Sequence, residues 1–250
     1  MKLIVLGSGT GVPSLERNAP GYYLKMLDRE CLIDCGSGTL LQLERAGRSY
    51  QHIDAVFITH THPDHIGDLI PLIHALKVTP GFRREKTLSL FGPPGFKQFF
   101  DDYIVTVASL PKHFRVEIQE VDRIFKYAGV RCQCVPTVHS ETLHSVAYRF
   151  EVGGRAVVLS GDCDYDEGII QHSSQADLLV LDCSFTNALK YPGHCSAGEC
   201  GRIATKAGVK RLLLTHLYPV PKADDTRLEE ARAGYVGDVR LAEDLMEIEI

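Results

Sequence analysis

Thr59-His60-Thr61-His62-Pro63-Asp64-His65 packs three histidines and a carboxylate into six residues, directly after the apolar run Ala55-Val56-Phe57-Ile58. Imidazole and carboxylate are the donors that zinc accepts. A lone histidine after a strand is an ordinary polar loop residue. Here that explanation must cover three of them and an aspartate, in a loop whose backbone Pro63 restricts. Donors from one loop cannot all reach one ion, so partners are expected at other strand ends. Val135 to Val138 runs into His139, Val157 to Gly161 into Asp162, and Leu212 to Thr215 into His216. In open α/β sheets the residues beyond the carboxyl ends of strands gather along one edge. Seven donors there (His60, His62, Asp64, His65, His139, Asp162 and His216) suit two ions better than one. His144, ahead of the run Val146 to Phe150, competes with His139; His139 is preferred because it ends the longer apolar run.

Hydrophobic periodicity defines the elements that must place these donors. Strand-like runs fall near Leu3 to Leu6, Gly21 to Leu27, Cys31 to Asp34, Ala55 to Thr59, Leu88 to Phe91, Val130 to Val138, Val146 to Val152, Ala156 to Ser160, Leu178 to Leu181 and Leu212 to Thr215. Leu40, Leu41 and Leu43 ahead of Ala46-Gly47 predict a helix closed by glycine. Leu69, Leu72, Ile73 and Leu76 carry helical spacing. Further helices are expected from Phe96 to Ile104, Ala197 to Ala207 and Thr226 to Ala233. Early strands joined by short turns, then strands alternating with helices, predict a mixed sheet arrangement with helices outside. There is no fixed-period repeat, and Gly92-Pro93-Pro94-Gly95 reads as a loop inside a domain, so residues 1–250 are expected to form one domain. Pro80-Gly81-Phe82 and Pro93 to Phe96 read as exposed segments, suited equally to a pocket wall or a homodimer face.

The 250 residues are 44% hydrophobic and 24% charged with a formal net charge of -5, and no block of five or six like charges occurs. That balance gives no support to holding nucleic acid by phosphate neutralisation. No apolar run nears the roughly twenty residues that span a bilayer, and Met1-Lys2-Leu3 leads straight into a strand-like segment. Neither a membrane span nor a secretory signal is expected, which predicts a cytoplasmic location and free thiols at most of the eight cysteines. Cys132 and Cys134 share one face of a strand, as a buried pair would. No cysteines show the C-x-x-C spacing of a structural zinc site. Leu6-Gly7-Ser8-Gly9-Thr10-Gly11 imitates a dinucleotide loop, but its spacing is G-x-G-x-G and Pro13 and Pro20 follow in place of a helix. A tight glycine turn is the expectation there.

T-H-x-H-x-D-H, a later histidine, a Gly-Asp at a strand end and a final Thr-His resemble the five-motif pattern of the metallo-β-lactamase fold hydrolases. Leu6 to Gly11 with Pro13 and Arg17, Ile33-Asp34-Cys35-Gly36, Tyr148-Arg149-Phe150 and Ser160-Gly161-Asp162 are similar to the ribonuclease Z-like branch, so nearly the whole chain is covered. The resemblance implies an αββα sandwich with two divalent metal ions, usually zinc, with manganese or iron as other options, along one edge of the sheets. By matching positions it implies one ion on His60, His62 and His139, another on Asp64, His65 and His216, and Asp162 as the bridge. Asp64 is thereby a catalytic candidate as well as a ligand. Gly193-His194-Cys195-Ser196 precedes the helix from Ala197, which by position puts His194 near backbone N–H groups that favour an anion. The resemblance adds a catalytic role, with His194 contacting phosphate or protonating a leaving group. Two departures stand out. Ribonuclease Z carries a long flexible tRNA arm between its third and fourth motifs, whereas 22 residues separate His139 from Asp162; and His216 is followed by Leu217-Tyr218-Pro219, not a serine-and-arginine tail.

Two divalent ions make a shared water acidic and clamp the attacking and leaving oxygens of a displacement, so hydrolysis is the expected reaction. Two ions over two ligating carboxylates and a hydroxide leave a charge of about +1, which favours an anionic group. The expectation is a phosphodiesterase for a small or cyclic phosphate diester, forming no stable nucleic-acid complex. Competing readings are a carboxylic ester, lactone or thioester hydrolase, a ribonuclease Z-like RNA endonuclease, and a metal-binding protein without turnover. Retention of every ligand position argues against the last.

Overall fold

Leu3 and Val5 point to one face of the first strand and Ile4 and Leu6 to the other, yet all four are fully buried. Such a strand must be covered on both sides. The computed structural model, which describes residues 1–250, shows how. Strands β1 (Lys2–Gly7), β2 (Gly21–Met26), β3 (Arg29–Cys35), β4 (Ala55–Phe57), β5 (Leu88–Gly92) and β6 (Val116–Glu120) lie in the first sheet. Strands β7 (Ile124–Tyr127), β8 (Val130–Pro136), β9 (Val146–Val152), β10 (Arg155–Leu159), β11 (Leu178–Asp182), β12 (Arg211–Thr215) and β13 (Asp238–Leu241) form the second. The last strand, β14 (Glu247–Glu249), returns to pair antiparallel with β1, giving the orders β14-β1-β2-β3-β4-β5-β6 and β13-β12-β11-β10-β9-β8-β7.

The helices are α1 (Thr39–Arg45), α2 (Pro63–Ile66), α3 (Leu69–Val78), α4 (Phe96–Phe99), which continues through a π-helical turn at Phe100–Ile104 into α5 (Val105–Ala108), α6 (Glu167–His172), α7 (Ala197–Ala207) and α8 (Arg227–Gly234). Three apolar layers hold the stack together. Between the sheets, Leu3, Val5, Ile33 and Phe57 meet Tyr148, Phe150, Leu159 and Leu213. Phe57 stacks on Phe91 at 4.5 Å and meets Tyr148 and Phe150 edge-on. Outside the first sheet, Ile4, Leu6 and Val56 pack on Leu69, Leu72, Leu76 and Phe100. Outside the second, Val158, Leu179 and Leu212 pack on Ile169, Ile203 and Ala231. The result is the αββα sandwich.

The central strands and the longer helices lie where periodicity predicts them. β6, β7, β13 and β14 were not anticipated, because they are short, charged edge strands with little burial. α6 escaped for the same reason of length. One expectation is corrected in part: within Pro93 to Phe96, Pro94 and Gly95 are exposed, but Pro93 is buried and Phe96 is 1% exposed, packed against Gly92 under β5. All eight cysteines are free and buried, and Cys132 and Cys134 both face the layer between the sheets.

Strands β3, β4 and β5 run parallel, as do β10, β11, β12 and β13, so their carboxyl ends open on a common edge. The turn after β1 also serves that edge. A Cβ on Gly7 would come within 1.8 Å of the Ala19 carbonyl oxygen, and one on Gly11 would touch Asp64. This glycine turn lets the chain fold tightly beneath Asp64, as the sequence suggested in preference to a dinucleotide loop.

Candidate metal centre

β4 delivers His60, and Pro63 at the first position of α2 turns the chain so that His62 precedes the helix while Asp64 and His65 lie within it. His60 Nε2 and His62 Nδ1 are 2.9 Å apart, and His139 Nε2 is 3.0 Å from the same His62 nitrogen. A second convergence brings Asp64 Oδ2 to 3.8 Å from His65 Nε2 and 3.5 Å from His216 Nε2. Asp162, on the loop after β10, lies between them. Its Oδ2 is 3.6 Å from His60 Nε2 and 3.5 Å from His139 Nε2, while its Oδ1 is 3.2 Å from His65 Nε2 and 3.3 Å from His216 Nε2. All seven sequence candidates therefore meet at one edge. His144 is exposed and joins neither group.

The backs of the rings explain which nitrogens face inward. His65 Nδ1–H donates to Asp34 Oδ2 at 2.8 Å, His139 Nδ1–H to the Gly193 carbonyl at 2.9 Å, and His216 Nδ1–H to Ser184 Oγ at 2.9 Å. His60 Nδ1 lies 3.1 Å from Thr59 Oγ1, whose hydroxyl in turn donates to Asp34. With Nδ1 occupied, each of these four rings presents Nε2, the device that fixes tautomer and orientation in metal-binding histidines. His65 Nε2, His216 Nε2 and Asp162 Oδ1 are buried, mutually close and without any hydrogen-bond partner. Unpaired buried polar atoms are costly, and a shared cation removes that cost. The donor set fits divalent metal.

The charges agree. Burial opposes ionisation of Asp162, but His216 and His65 outweigh it and hold the carboxyl well below its usual range. Burial lowers His60 and His62, with neighbouring imidazoles adding to the effect. His65 is pulled the other way: burial alone would lower it, and the Asp162 and Asp34 carboxylates raise it well above an ordinary histidine.

His194 stands beside the centre, its ring stacked on His216 at 5.2 Å and edge-on to His139 at 4.8 Å. Its Nδ1–H donates to Asp182 Oδ2 at 2.8 Å. Burial lowers its pKa, but Asp182 overcomes this and raises it to about 9. The expected helix N-terminus plays no part. The Ser196 and Gly198 amides are taken by Glu199 and Asn187, and the Ala197 amide by the Phe185 carbonyl, so none is free for an anion. Asp162, Asp182, His194 and His216 also lie close enough to share an ion. Asp182, however, already accepts from the Cys163 amide, the Ser184 amide and hydroxyl, and His194, which makes it a hydrogen-bonded support.

Asp34 and Asp182 are hydrogen-bonded supports of His65 and His194 to which the sequence reading assigns no role. Each lies at the end of an apolar strand, as the Asp162 segment does, and that was the available signal. Gly193 was read only as part of a turn. Its φ of +89° and the 2.6 Å approach that a Cβ would make to the His139 carbonyl oxygen show why glycine is required there.

Fold and site together define a metal-dependent hydrolase of the metallo-β-lactamase fold. Residues 29–217 match the model of the β-lactamase superfamily domain, and the chain belongs to that family. It is 31% identical to the probable metallo-hydrolase YhfI of Bacillus subtilis over 249 residues, which is 97% of each chain. It is 29% identical to ribonuclease Z of Methanothermobacter thermautotrophicus over 306 aligned positions, covering 100% of this chain and 97% of the relative. The crystal structure of Bacillus subtilis YhfI superposes with a TM-score of 0.84 at 28% identity, covering 99% of this chain and 98% of that one. No helix is long and apolar enough to cross a membrane.

Proposed function

We propose that the chain is a dinuclear metal phosphodiesterase acting on a small or cyclic phosphate diester. The observation that carries the reading is Asp162, whose two oxygens face separate donor groups within 3.2 to 3.6 Å. His60, His62 and His139 would hold one ion, Asp64, His65 and His216 the other, with Asp162 common to both and zinc as the metal best matched to these donors. Such a pair supplies an acidified water and stabilises charge on phosphate oxygens.

The chain's own residues do the rest. Asp34, Thr59, Ser184 and Gly193 orient the imidazoles through their Nδ1 atoms. Asp182 holds His194 by Nδ1, leaving Nε2 to contact the phosphate or give a proton to the departing oxygen as the P–O bond breaks. Residues 1–250 act as one domain in this reading, because both sheets contribute donors and share an apolar layer.

The relative named ribonuclease Z supports the chemistry of phosphodiester cleavage. Its alignment needs 306 positions for this chain's 250 residues, so it carries insertions lacking here, whereas the YhfI alignment needs only 249. That favours a small substrate over a folded RNA.

Metal analysis and a substrate panel test the proposal. Two ions per chain and turnover of bis-p-nitrophenyl phosphate are expected. Fewer than two ions would sink the dinuclear assignment. Fast lactone or thioester turnover without diesterase activity would replace it with the ester-hydrolase reading, and preferential cleavage of precursor tRNA with the ribonuclease reading.

A further inference from the structure

One flank of the centre is aromatic. Phe185 and Tyr218 stack with ring centroids 5.0 Å apart and 18° between planes. Both meet His194 edge-on, at 6.0 Å and 6.1 Å, and Tyr218 lies 5.8 Å from His216. Tyr191 tilts against Phe185 at 6.4 Å and is 65% exposed; Leu189, on the same loop, is 55% exposed. None of the four belongs to the three apolar layers, so core packing does not account for them.

The wall is also held in place. Arg227 is 2% exposed, and its Nη1 donates to the Ser184 carbonyl at 3.3 Å and the Tyr218 carbonyl at 3.2 Å. Asp225 fixes that guanidinium with contacts of 2.8 and 2.7 Å. One buried cation thus ties together the two segments that carry the stacked rings. The Phe185 carbonyl is anchored in addition by the Ala197 amide at 2.9 Å. Side chains organised this way are preorganised for a ligand and lose little freedom when one binds.

We propose that Phe185, Tyr218 and Tyr191 form a leaving-group subsite. It selects diesters whose departing alcohol carries a planar aromatic ring, such as a phenol or a nucleoside, over those with an aliphatic departing group. The proposal rests on the phosphodiesterase reading, because the wall flanks His194, the group assigned to the departing oxygen. Aromatic faces favour offset or edge-on ring contacts, which an alkyl chain cannot return.

Calorimetric binding of phenylphosphonate, cyclohexylphosphonate and methylphosphonate to zinc-loaded protein tests this without turnover. Phenylphosphonate should bind about tenfold more tightly than methylphosphonate. That preference should fall below about threefold in Phe185→Leu and Tyr218→Leu. Tyr191→Ala, at an exposed position that folding does not need, should lower it in the same direction. Equal binding of phenyl- and methylphosphonate by the unaltered protein would overturn the subsite and leave the phosphodiesterase reading standing. Cyclohexylphosphonate binding as tightly as phenylphosphonate would overturn the aromatic selection. Failure of all three to bind would overturn the phosphodiesterase reading and the subsite with it.

Discussion

On the proposed dinuclear reading, Asp34→Asn should weaken one of the two ions and spare the other. Asp34 is 1% exposed, has a φ of +57° and is the penultimate residue of β3. Asparagine tolerates that conformation and matches the shape of aspartate, so the backbone has no reason to move. Oδ1 accepts the Thr59 amide at 2.8 Å, and Oδ2 accepts His65 Nδ1–H at 2.8 Å. An asparagine oxygen must stay with the Thr59 amide, since flipping would set two donors against each other. Its NH2 then faces His65 Nδ1, which can only accept by moving the ring proton to Nε2. A protonated Nε2 cannot ligate. Thr59 Oγ1 still reaches Oδ1 at 3.1 Å, so the support of His60 survives. Loss of such a supporting partner costs 10–100-fold in metal affinity, or about 1.4 to 2.7 kcal/mol. Zinc titration against a chromophoric chelator resolves the two sites. One dissociation constant should rise by that factor while the other stays within about twofold. Equal weakening of both, or of neither, would refute the tautomer argument.

Three further outcomes are expected. His194→Ala should keep both ions and lose roughly 10²- to 10⁴-fold in kcat on diesters; full activity would remove His194 from the mechanism. Gly193→Ala forces a Cβ to within 2.6 Å of the His139 carbonyl oxygen, so the hydrogen bond to His139 must break, and activity should fall with loss of zinc from the three-histidine group; a variant with normal zinc content would count against that role. His172, at the end of α6 and 8% exposed, is lowered to about 4 by burial and then by Arg149. The unfolded chain takes up this proton first, near pH 6.5, so the stability owed to neutral His172 is complete above 6.5 and is lost as pH falls toward 4. By pH 5 the loss is about 2 kcal/mol. Urea unfolding of the unaltered protein and His172→Gln should diverge by that amount between pH 7 and 5, and parallel pH profiles would show that His172 does not titrate this way.

The donors were legible because apolar strands running into His139, Asp162 and His216 are conspicuous, and because the His60 to His65 segment is dense in ligands. The strands buried on both faces were legible for a related reason, as continuous apolar runs. Edge strands such as Val116–Glu120 carry half-exposed, charged residues that resemble loop. Asp34 and Asp182 lie at the ends of apolar strands much as Asp162 follows one. Sequence pattern does not reveal whether such a carboxylate faces an ion or the back of an imidazole, since that depends on which strand lies alongside. The aromatic wall is less visible still. Phe185, Tyr191 and Tyr218 have no shared spacing, and the segments that carry Phe185 and Tyr218 are tied together by Arg227, whose buried cation lies nine residues beyond Tyr218.

Cys163, Cys183 and Cys195 directly follow Asp162, Asp182 and His194, and all three thiols are fully buried. A maleimide cannot reach them until the surrounding segment opens. Labelling of these positions under native conditions would therefore time the breathing of the site itself, residue by residue, and comparing zinc-loaded with chelated protein would show how far the ions lock that edge of the sandwich shut. The chain carries its own clock for the motion of that candidate metal-binding edge.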